Sequence, residues 1–100
     1  MRFLENHIED IQKLCSAHKV KELYVFGSVL TNSFNAQSDI DFLVNFDAIS
    51  LDEYADNYFS LKYALETALN HSIDLLEEKA VKNPYFRDSI AQKKKLIYGH

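Results

Sequence analysis

Two aspartates, Asp39 and Asp41, stand one residue apart at the start of an apolar run that continues to Phe46. Side chains alternate along a β-strand, so both carboxylates would project from the same face. Carboxylates this close destabilise each other unless positive charge intervenes, yet no lysine or arginine occurs between Lys21 and Lys62. A hard divalent cation such as Mg²⁺, which takes oxygen ligands from carboxylates and phosphates, is the natural counter-charge.

A third carboxylate, Asp74, fits the same arrangement. It alternates with Ile73 and Leu75 in the short segment 72–77, which reads as a strand. If that strand lies beside a strand over residues 40–46, three carboxylates converge on one patch. Such a patch meets the demands of phosphoryl transfer with two metal ions, one for the attacking hydroxyl and one for a nucleoside triphosphate.

The pair Gly27 and Ser28 directly follows the apolar run 20–26. Glycine at a strand end lets the backbone approach a phosphate closely. The serine hydroxyl and the following backbone N–H groups can donate hydrogen bonds to phosphate oxygens. The sequence therefore predicts a phosphate-binding turn that forms one site together with the carboxylate patch.

The elements that must position these residues alternate between helix and strand, which predicts an α/β (α+β) fold with helices packed on a small sheet. In the second strand, the aspartates are predicted to share a face with Leu43 and Asn45, opposite the apolar face. The first half is predicted to contain a helix over 4–18, a strand over 20–26, a short helix or turn over 28–34 and a strand over 40–46. A helix of about five turns then begins at a Ser50–Glu53 capping box. It is followed by a strand over 72–77 and by a last helix from Asn83–Pro84, whose apolar side includes Ile90 and Ile97.

Length and charge limit the possible classes of protein. One hundred residues, 47% of them hydrophobic, suffice for a single domain over residues 1–100 with one core. Residues 1–78 carry 14 acids and 5 bases, whereas residues 79–100 carry 6 bases and 1 acid. An acidic chain is a poor general nucleic-acid binder, so no direct nucleic-acid binding is expected. The basic end is either a solvated helix end or a docking surface for an acidic partner.

The sequence also carries an expectation about compartment. No apolar run reaches the roughly 20 residues that span a bilayer, and the N-terminus lacks the apolar stretch of a signal peptide. The lone cysteine, Cys15, cannot form an internal disulfide. We expect a cytoplasmic protein without a membrane partner, and Cys15 as a buried small hydrophobe.

The stretch FGSVLTNSFNAQSDIDFLV, residues 26–44, resembles the G-S-x10-D-x-D signature of the polymerase β nucleotidyltransferase superfamily. The whole chain is similar to the minimal nucleotidyltransferases (MNT), single-domain proteins of about this length. The resemblance implies a polymerase β-like fold with a small mixed sheet and assigns roles to matching residues. Gly27 and Ser28 would contact the triphosphate of ATP, and Asp39 and Asp41 would bind two Mg²⁺ ions.

The remaining implications concern catalysis and partners. Asp74 would complete the metal site and help deprotonate the acceptor hydroxyl that attacks the α-phosphate. MNT proteins are similar to antitoxins encoded beside HEPN-type toxins, small helical RNases, which they silence by transferring AMP to a tyrosine. The implied function is a Mg²⁺-dependent protein adenylyltransferase, an enzyme of the EC 2.7.7 type, working as an antitoxin in a hetero-oligomer. Two alternatives stay open: a binding module that neutralises its partner by occlusion, and a nucleotidyltransferase acting on a small molecule such as an antibiotic.

One segment departs from the family pattern. Many members read G-S-x-A-R-G, whereas this chain has Thr31 and Asn32 where the arginine and glycine stand. Triphosphate binding would then need other donors. The candidates are Thr31 and Asn32 themselves, as neutral donors, or a base from the C-terminal third: Lys79, Lys82 or Arg87.

Overall fold

The computed structural model describes residues 2–99, so the prediction for a domain over residues 1–100 extends one residue beyond them at each end. The described residues form a four-stranded sheet with helices. The elements are α1 (Arg2–Glu5), α2 (Ile8–Ala17), β1 (Val20–Phe26), β2 (Ile40–Phe46), α3 (Leu51–Leu69), β3 (Ile73–Glu77), α4 (Pro84–Lys93) and β4 (Lys95–Tyr98), with 3-10 turns at Gly27–Leu30 and Glu78–Ala80.

The sheet is mixed, as predicted, with strand order β3-β2-β1-β4. β1 is antiparallel to both β2 and β4, whereas β2 and β3 are parallel. A parallel pair needs a long crossover connection, and α3 with its flanking turns provides it. The backbone N–H of Ile40 donates to the carbonyl of Ser72 at 3.0 Å, which joins the starts of β2 and β3.

The main core lies on one face of the sheet, between it and helices α2 and α3. Ile40, Phe42 and Val44 point into it and are fully buried, which confirms the predicted apolar face of β2. Leu43 on the opposite face is buried too, because α4 covers it there with Ile90. The other buried members of the main core include Ile11, Cys15, Leu23, Val25, Leu61, Leu65, Ile73 and Leu75.

The long helix α3 begins where the sequence predicted, after Ser50. Ser50 has extended backbone and its carbonyl accepts from the N–H of Glu53 at 3.1 Å, but its side chain makes no capping hydrogen bond. The predicted capping box is therefore present as a sequence pattern without its side-chain bond to the backbone. No helix within residues 2–99 is both long and apolar enough to cross a membrane.

Two predicted helices differ from the observed ones. The first is divided into α1 and α2 at residues 6–7, where the N–H of His7 donates back to the carbonyl of Leu4 at 2.9 Å. The last helix ends at Lys93, and Ile97 lies in β4 rather than on a helix face. Lys94 caps α4 with extended backbone, and the chain then turns to pair with β1, where Ile97 is buried.

Candidate active site

Gly27 sits where β1 ends, directly beside Asp41 of β2. It has φ +81°, a left-handed conformation that favours glycine. A Cβ atom added there would clash with Oδ2 of Asp41 and lie 3.2 Å from its Cγ. Phe26 pairs with Asp41 in the antiparallel register, which brings the end of β1 to this point. The glycine is thus required twice, by its backbone conformation and by the carboxylate next to it.

Asp41 and Asp74 are direct partners in the parallel pairing of β2 and β3. The condition set by the sequence, that the third strand lie beside the second, is therefore met. The pKa of Asp41 is raised to about 6, chiefly because burial disfavours its charged form. A hydrogen bond with Asp74 and the negative charges of Asp74 and Asp39 raise the pKa further. The structure thus contains the electrostatic conflict that the sequence predicted.

Asp39 lies at the same end of the sheet, one residue before β2. It is exposed, and its charge acts on Asp41 across the strand start. The hydrogen bond from Ile40 to Ser72 fixes this point of β2 against the residues that precede Asp74. The fold therefore brings all three sequence-predicted aspartates to one end of the sheet.

The donor set at this end of the sheet fits Mg²⁺. Mg²⁺ in proteins commonly keeps several waters and takes one or two carboxylates plus substrate phosphates, and the Asp41–Asp74 pair supplies such carboxylates. Within residues 2–99, however, no three His, Cys, Asp or Glu side chains are already spaced to hold a single ion. Asp39 would have to turn inwards to join the pair, so the metal-binding role of the three aspartates stays a prediction.

The turn Gly27–Leu30 follows the glycine. Ser28 is half-buried, and its carbonyl accepts hydrogen bonds from both the N–H and the hydroxyl of Thr31, at 2.9 and 2.8 Å. The Thr31 oxygen also accepts from the N–H of Ser33 at 3.1 Å. The Thr31 hydroxyl therefore closes the turn, so it is not a free donor that could replace the missing arginine.

An aromatic cluster anchors the loop between this turn and β2, and sequence reasoning missed it. The ring of Phe34 stacks on His71 with 5.2 Å between centroids and contacts Phe3 at 5.4 Å. His71 directly precedes Ser72, the residue bonded to the start of β2. The available signal was a single aromatic residue inside the mostly polar stretch 31–39.

Two of the three candidate bases of the C-terminal third lie beside β2, further along the strand than Asp41. Lys79 and Arg87 line a cavity of about 300 Å³ together with Leu43. The charges that raise the pKa of Asp41 come from Asp74 and Asp39, with no lysine or arginine of the described chain among the groups that shift it. Among the described residues, no lysine or arginine therefore offsets the charges that act on Asp41.

A family model described as polymerase beta, nucleotidyltransferase, matches residues 9–100. This chain belongs to that family, which confirms the prediction that it is an enzyme, a nucleotidyltransferase. Two relatives support the assignment. MJ1379 of Methanocaldococcus jannaschii, provisionally named a protein adenylyltransferase, is 36% identical over 81% of this chain and 78% of its own length. Protein adenylyltransferase MntA of Thermococcus cleftensis is 32% identical over 76% of this chain and 82% of its own length.

Solved structures share the fold. One provisionally described as a minimal nucleotidyltransferase has a TM-score of 0.76 at 28% identity, covering 92% of this chain and 90% of that chain. A toxin–antitoxin crystal structure with AMP-PNP has a TM-score of 0.72 at 23% identity, covering 93% and 73%. A tri-AMPylated Shewanella oneidensis HEPN toxin in complex with its MNT antitoxin gives 0.67 at 21% identity, covering 96% and 72%. The predicted polymerase β-like fold is confirmed.

Proposed function

We propose that this chain is a Mg²⁺-dependent protein adenylyltransferase that transfers AMP from ATP to a tyrosine hydroxyl of a HEPN-type toxin and thereby acts as an antitoxin. The observation that carries the proposal is the direct pairing of Asp41 and Asp74 beside Gly27. We further propose that residues 1–100 work as one minimal domain in the cytoplasm, in a hetero-oligomer with the toxin.

The names of similar proteins support this choice among nucleotidyltransferases. MntA of Thermococcus cleftensis is named a protein adenylyltransferase. Structural neighbours are toxin–antitoxin complexes, one with AMP-PNP and one with an AMPylated HEPN toxin. By analogy with these proteins, we take ATP as the nucleotide, a protein as the acceptor and a HEPN-type toxin as the partner of this chain.

The chemistry assigned to the chain follows from positions on the sheet. The backbone at Gly27 and Ser28 receives the triphosphate, because it lies next to Asp41 at the open end of β1. Bound Mg²⁺ would supply the positive charge that lets the three carboxylates ionise together and offsets the charge developing on the phosphate. Asp39 and Asp41 would hold it with Asp74, and a second role of Asp74 is to accept the proton of the attacking hydroxyl.

The transfer is an in-line substitution at the α-phosphorus of ATP. The acceptor oxygen forms a bond to the α-phosphorus of ATP as its proton passes to Asp74. The bond from that phosphorus to the oxygen bridging to the β-phosphate breaks, and its electron pair leaves with pyrophosphate. Positioning and charge stabilisation account for most of such a rate enhancement, which is why the fixed pairing of β2 with β3 matters.

The test uses a HEPN-type toxin as the acceptor protein. With labelled ATP and Mg²⁺, the wild-type chain is expected to label that protein and suppress its RNase activity. The double variant Asp39→Ala, Asp41→Ala is expected to bind the toxin without labelling it and to leave the RNase active. An unlabelled toxin that both chains inhibit equally would replace this proposal with neutralisation by occlusion. Transfer to an aminoglycoside without any protein partner would favour a small-molecule acceptor.

A further inference from the structure

A cavity of about 300 Å³ opens on the same face of the sheet as Asp41, under α4. Its floor is Leu43 and Asn45, the residues two and four positions after Asp41 on β2. Side chains two apart on a strand share a face and stand roughly 6.6 Å apart. The cavity is therefore continuous with the carboxylate face and begins about one such step from it. Its remaining lining residues are Glu78, Lys79, Val81, Arg87, Ile90 and Ala91.

The geometry of in-line transfer indicates which substrate lies over this cavity. The leaving pyrophosphate points towards Gly27 and Ser28 at the end of β1, on one side of β2. An attacking hydroxyl must approach from the opposite side of the phosphorus, which is the side of β3 and Asp74. The turn Glu78–Ala80, which directly follows β3, borders the cavity, whereas the floor belongs to β2 and another wall to α4. With the triphosphate at Gly27 and Ser28, on the β1 side of β2, an acceptor that reaches Asp74 from the β3 side would pass this turn.

The charge of the cavity rim indicates what kind of acceptor fits. The carboxylate of Glu78 is already engaged, accepting from Asn45 Nδ2 at 2.7 Å and from Lys94 Nζ at 2.8 Å. These contacts lower the pKa of Glu78, with the Asn45 hydrogen bond as the largest cause. Lys79 Nζ lies 3.1 Å from Glu77 Oε1, but its side chain is 79% exposed, and Arg87 is exposed as well. The lining of the cavity therefore carries two bases and one acid, in a chain of net charge −4.

The walls of the cavity are apolar where they are buried. Leu43 is 1% exposed and Ile90 is 5% exposed. Beside the cavity, α4 presents two large side chains to solvent, Tyr85 at 86% and Phe86 at 45% exposure. An apolar hole with a basic rim and exposed aromatic neighbours is suited to an acidic peptide segment that carries an apolar anchor.

We propose that this cavity is the acceptor-binding subsite and that it takes an apolar side chain two residues from the modified tyrosine, while acidic neighbours of that tyrosine pair with Lys79 and Arg87. The inference rests on the proposed adenylyl transfer. Leu43 lies two residues after Asp41 on β2. An extended acceptor peptide rises about 3.3 Å per residue, as the strand does, so a tyrosine at Asp41 places the residue two positions away from it over Leu43. The cavity would thus determine which acceptor sequences bind, and the aspartates would catalyse the transfer of AMP.

The experiment uses the full chain and three synthetic peptides: Glu-Leu-Glu-Tyr-Glu-Leu-Glu, the same peptide with serine for leucine, and the same peptide with lysine for glutamate. Binding is followed by the methyl NMR signals of Leu43, Val81 and Ile90. Transfer of AMP to the peptides is measured separately. The leucine-glutamate peptide is expected to shift all three signals and to bind at least about tenfold more tightly than either other peptide.

Matched variants test whether peptide binding depends on the cavity and on the bases at its rim. Ala91→Phe fills the cavity and is expected to weaken peptide binding about tenfold while leaving Mg²⁺-ATP binding unchanged. Ala55→Phe, at an exposed position of α3, should change neither. The pair Lys79→Glu, Arg87→Glu should abolish the preference for glutamate over lysine. The equally charged pair Lys13→Glu, Lys21→Glu, at exposed positions, should keep it.

The outcomes separate this inference from the proposed function. Methyl shifts without any AMP transfer would support the subsite and count against adenylyl transfer. Transfer without methyl shifts would keep the enzyme and overturn the subsite. Shifts of the same methyl signals by Mg²⁺-ATP alone, or equal effects of Ala91→Phe and Ala55→Phe, would also overturn it.

Discussion

Asp41 and Asp74 are direct partners in the parallel pair β2–β3, and Asp74 is among the groups that raise the pKa of Asp41. A hydrogen bond between the two carboxyl groups needs a proton, because two ionised carboxylates are acceptors only. A proton and a divalent cation are therefore alternative ways to stabilise the same pair. In the metal-free protein the two carboxylates repel each other when both are ionised, and either a proton at low pH or a bound cation relieves that repulsion.

Replacing Asp41 by asparagine should stabilise the metal-free protein at pH 8. The pKa of Asp41 is raised from 3.8 to about 6 on folding, so the folded state binds this proton more tightly than the unfolded state does. The cost to stability is absent below the unfolded pKa and grows as pH rises towards the folded pKa. After discounting for partial exposure, we expect a gain of about 1 kcal/mol at pH 8, or roughly 5 °C in Tm.

The pH dependence of the stability difference between wild type and Asp41→Asn is the control for this prediction. Thermal unfolding of wild type and Asp41→Asn should converge below about pH 4, where both pKa values lie above the solution pH. Added Mg²⁺ should raise the Tm of the wild-type protein more than that of the variant. A stability difference that is independent of pH would show that the carboxylate conflict is not its cause.

Gly27→Ala should disable the site beyond its effect on stability. The new Cβ would force the Asp41 carboxylate to move, and an alanine at φ +81° costs about 1–2 kcal/mol. Gly99→Ala is the matched control, because Gly99 has φ +101° and a Cβ there would clash with the backbone carbonyl of Lys21. Both variants should lose stability by denaturant unfolding, but AMP transfer should collapse in Gly27→Ala alone. Equal activity losses would mean that the Gly27 effect is only global.

Thr31→Arg should restore the cation that the family pattern carries after the turn. A guanidinium binds phosphate oxygens with two hydrogen bonds, so we expect the KM for ATP to fall roughly tenfold, with little change in kcat. Thr31→Gln serves as the control, because it removes the hydroxyl that closes the turn on Ser28 without adding charge. If the KM for ATP does not fall in the arginine variant, the triphosphate does not pass residue 31.

Phe34→Ala should loosen the loop that carries Asp39. Its ring stacks on His71 and contacts Phe3, which ties the loop to the segment leading into β3. Misplacing Asp39 should raise the Mg²⁺ concentration for half-maximal transfer and lower kcat, by up to about 100-fold. Phe59→Ala, which removes a half-exposed aromatic side chain from α3, should lower stability at most and leave the Mg²⁺ dependence unchanged. Unchanged Mg²⁺ dependence in Phe34→Ala would limit the cluster to a packing role.

The positions of the aspartates on the second strand follow from a local rule, whereas their neighbours in the sheet do not. Alternation along β2 places Asp41 opposite Phe42, and that is a local rule that needs no tertiary information. The pairing of Asp74 with Asp41 could be stated only as a condition, because strand neighbours depend on long-range contacts.

Other features depended on signals that the sequence carries weakly. The sequence predicts Ile97 on the last helix rather than on β4, since the lysines before it are good helix formers and four residues are too few to show alternation. The clash that requires Gly27 and the role of the Thr31 hydroxyl emerge from atomic positions. The ring contacts of Phe34 join residues far apart in the chain, so only the folded structure reveals them.

The most direct test of the account is the intact mass of the HEPN-type partner after incubation with ATP, Mg²⁺ and the Asp74→Asn variant. An asparagine keeps the size and a hydrogen bond to Asp41 but cannot accept the proton of the acceptor hydroxyl. We expect ATP binding close to that of wild type and adenylyl addition slowed by roughly 10²–10⁴-fold, with full addition by the control Asp56→Asn on the exposed face of α3. Adenylylation by Asp74→Asn at the wild-type rate would contradict the central claim, because Asp74 would then be a structural residue and the β2–β3 carboxylate pair would not carry the reaction.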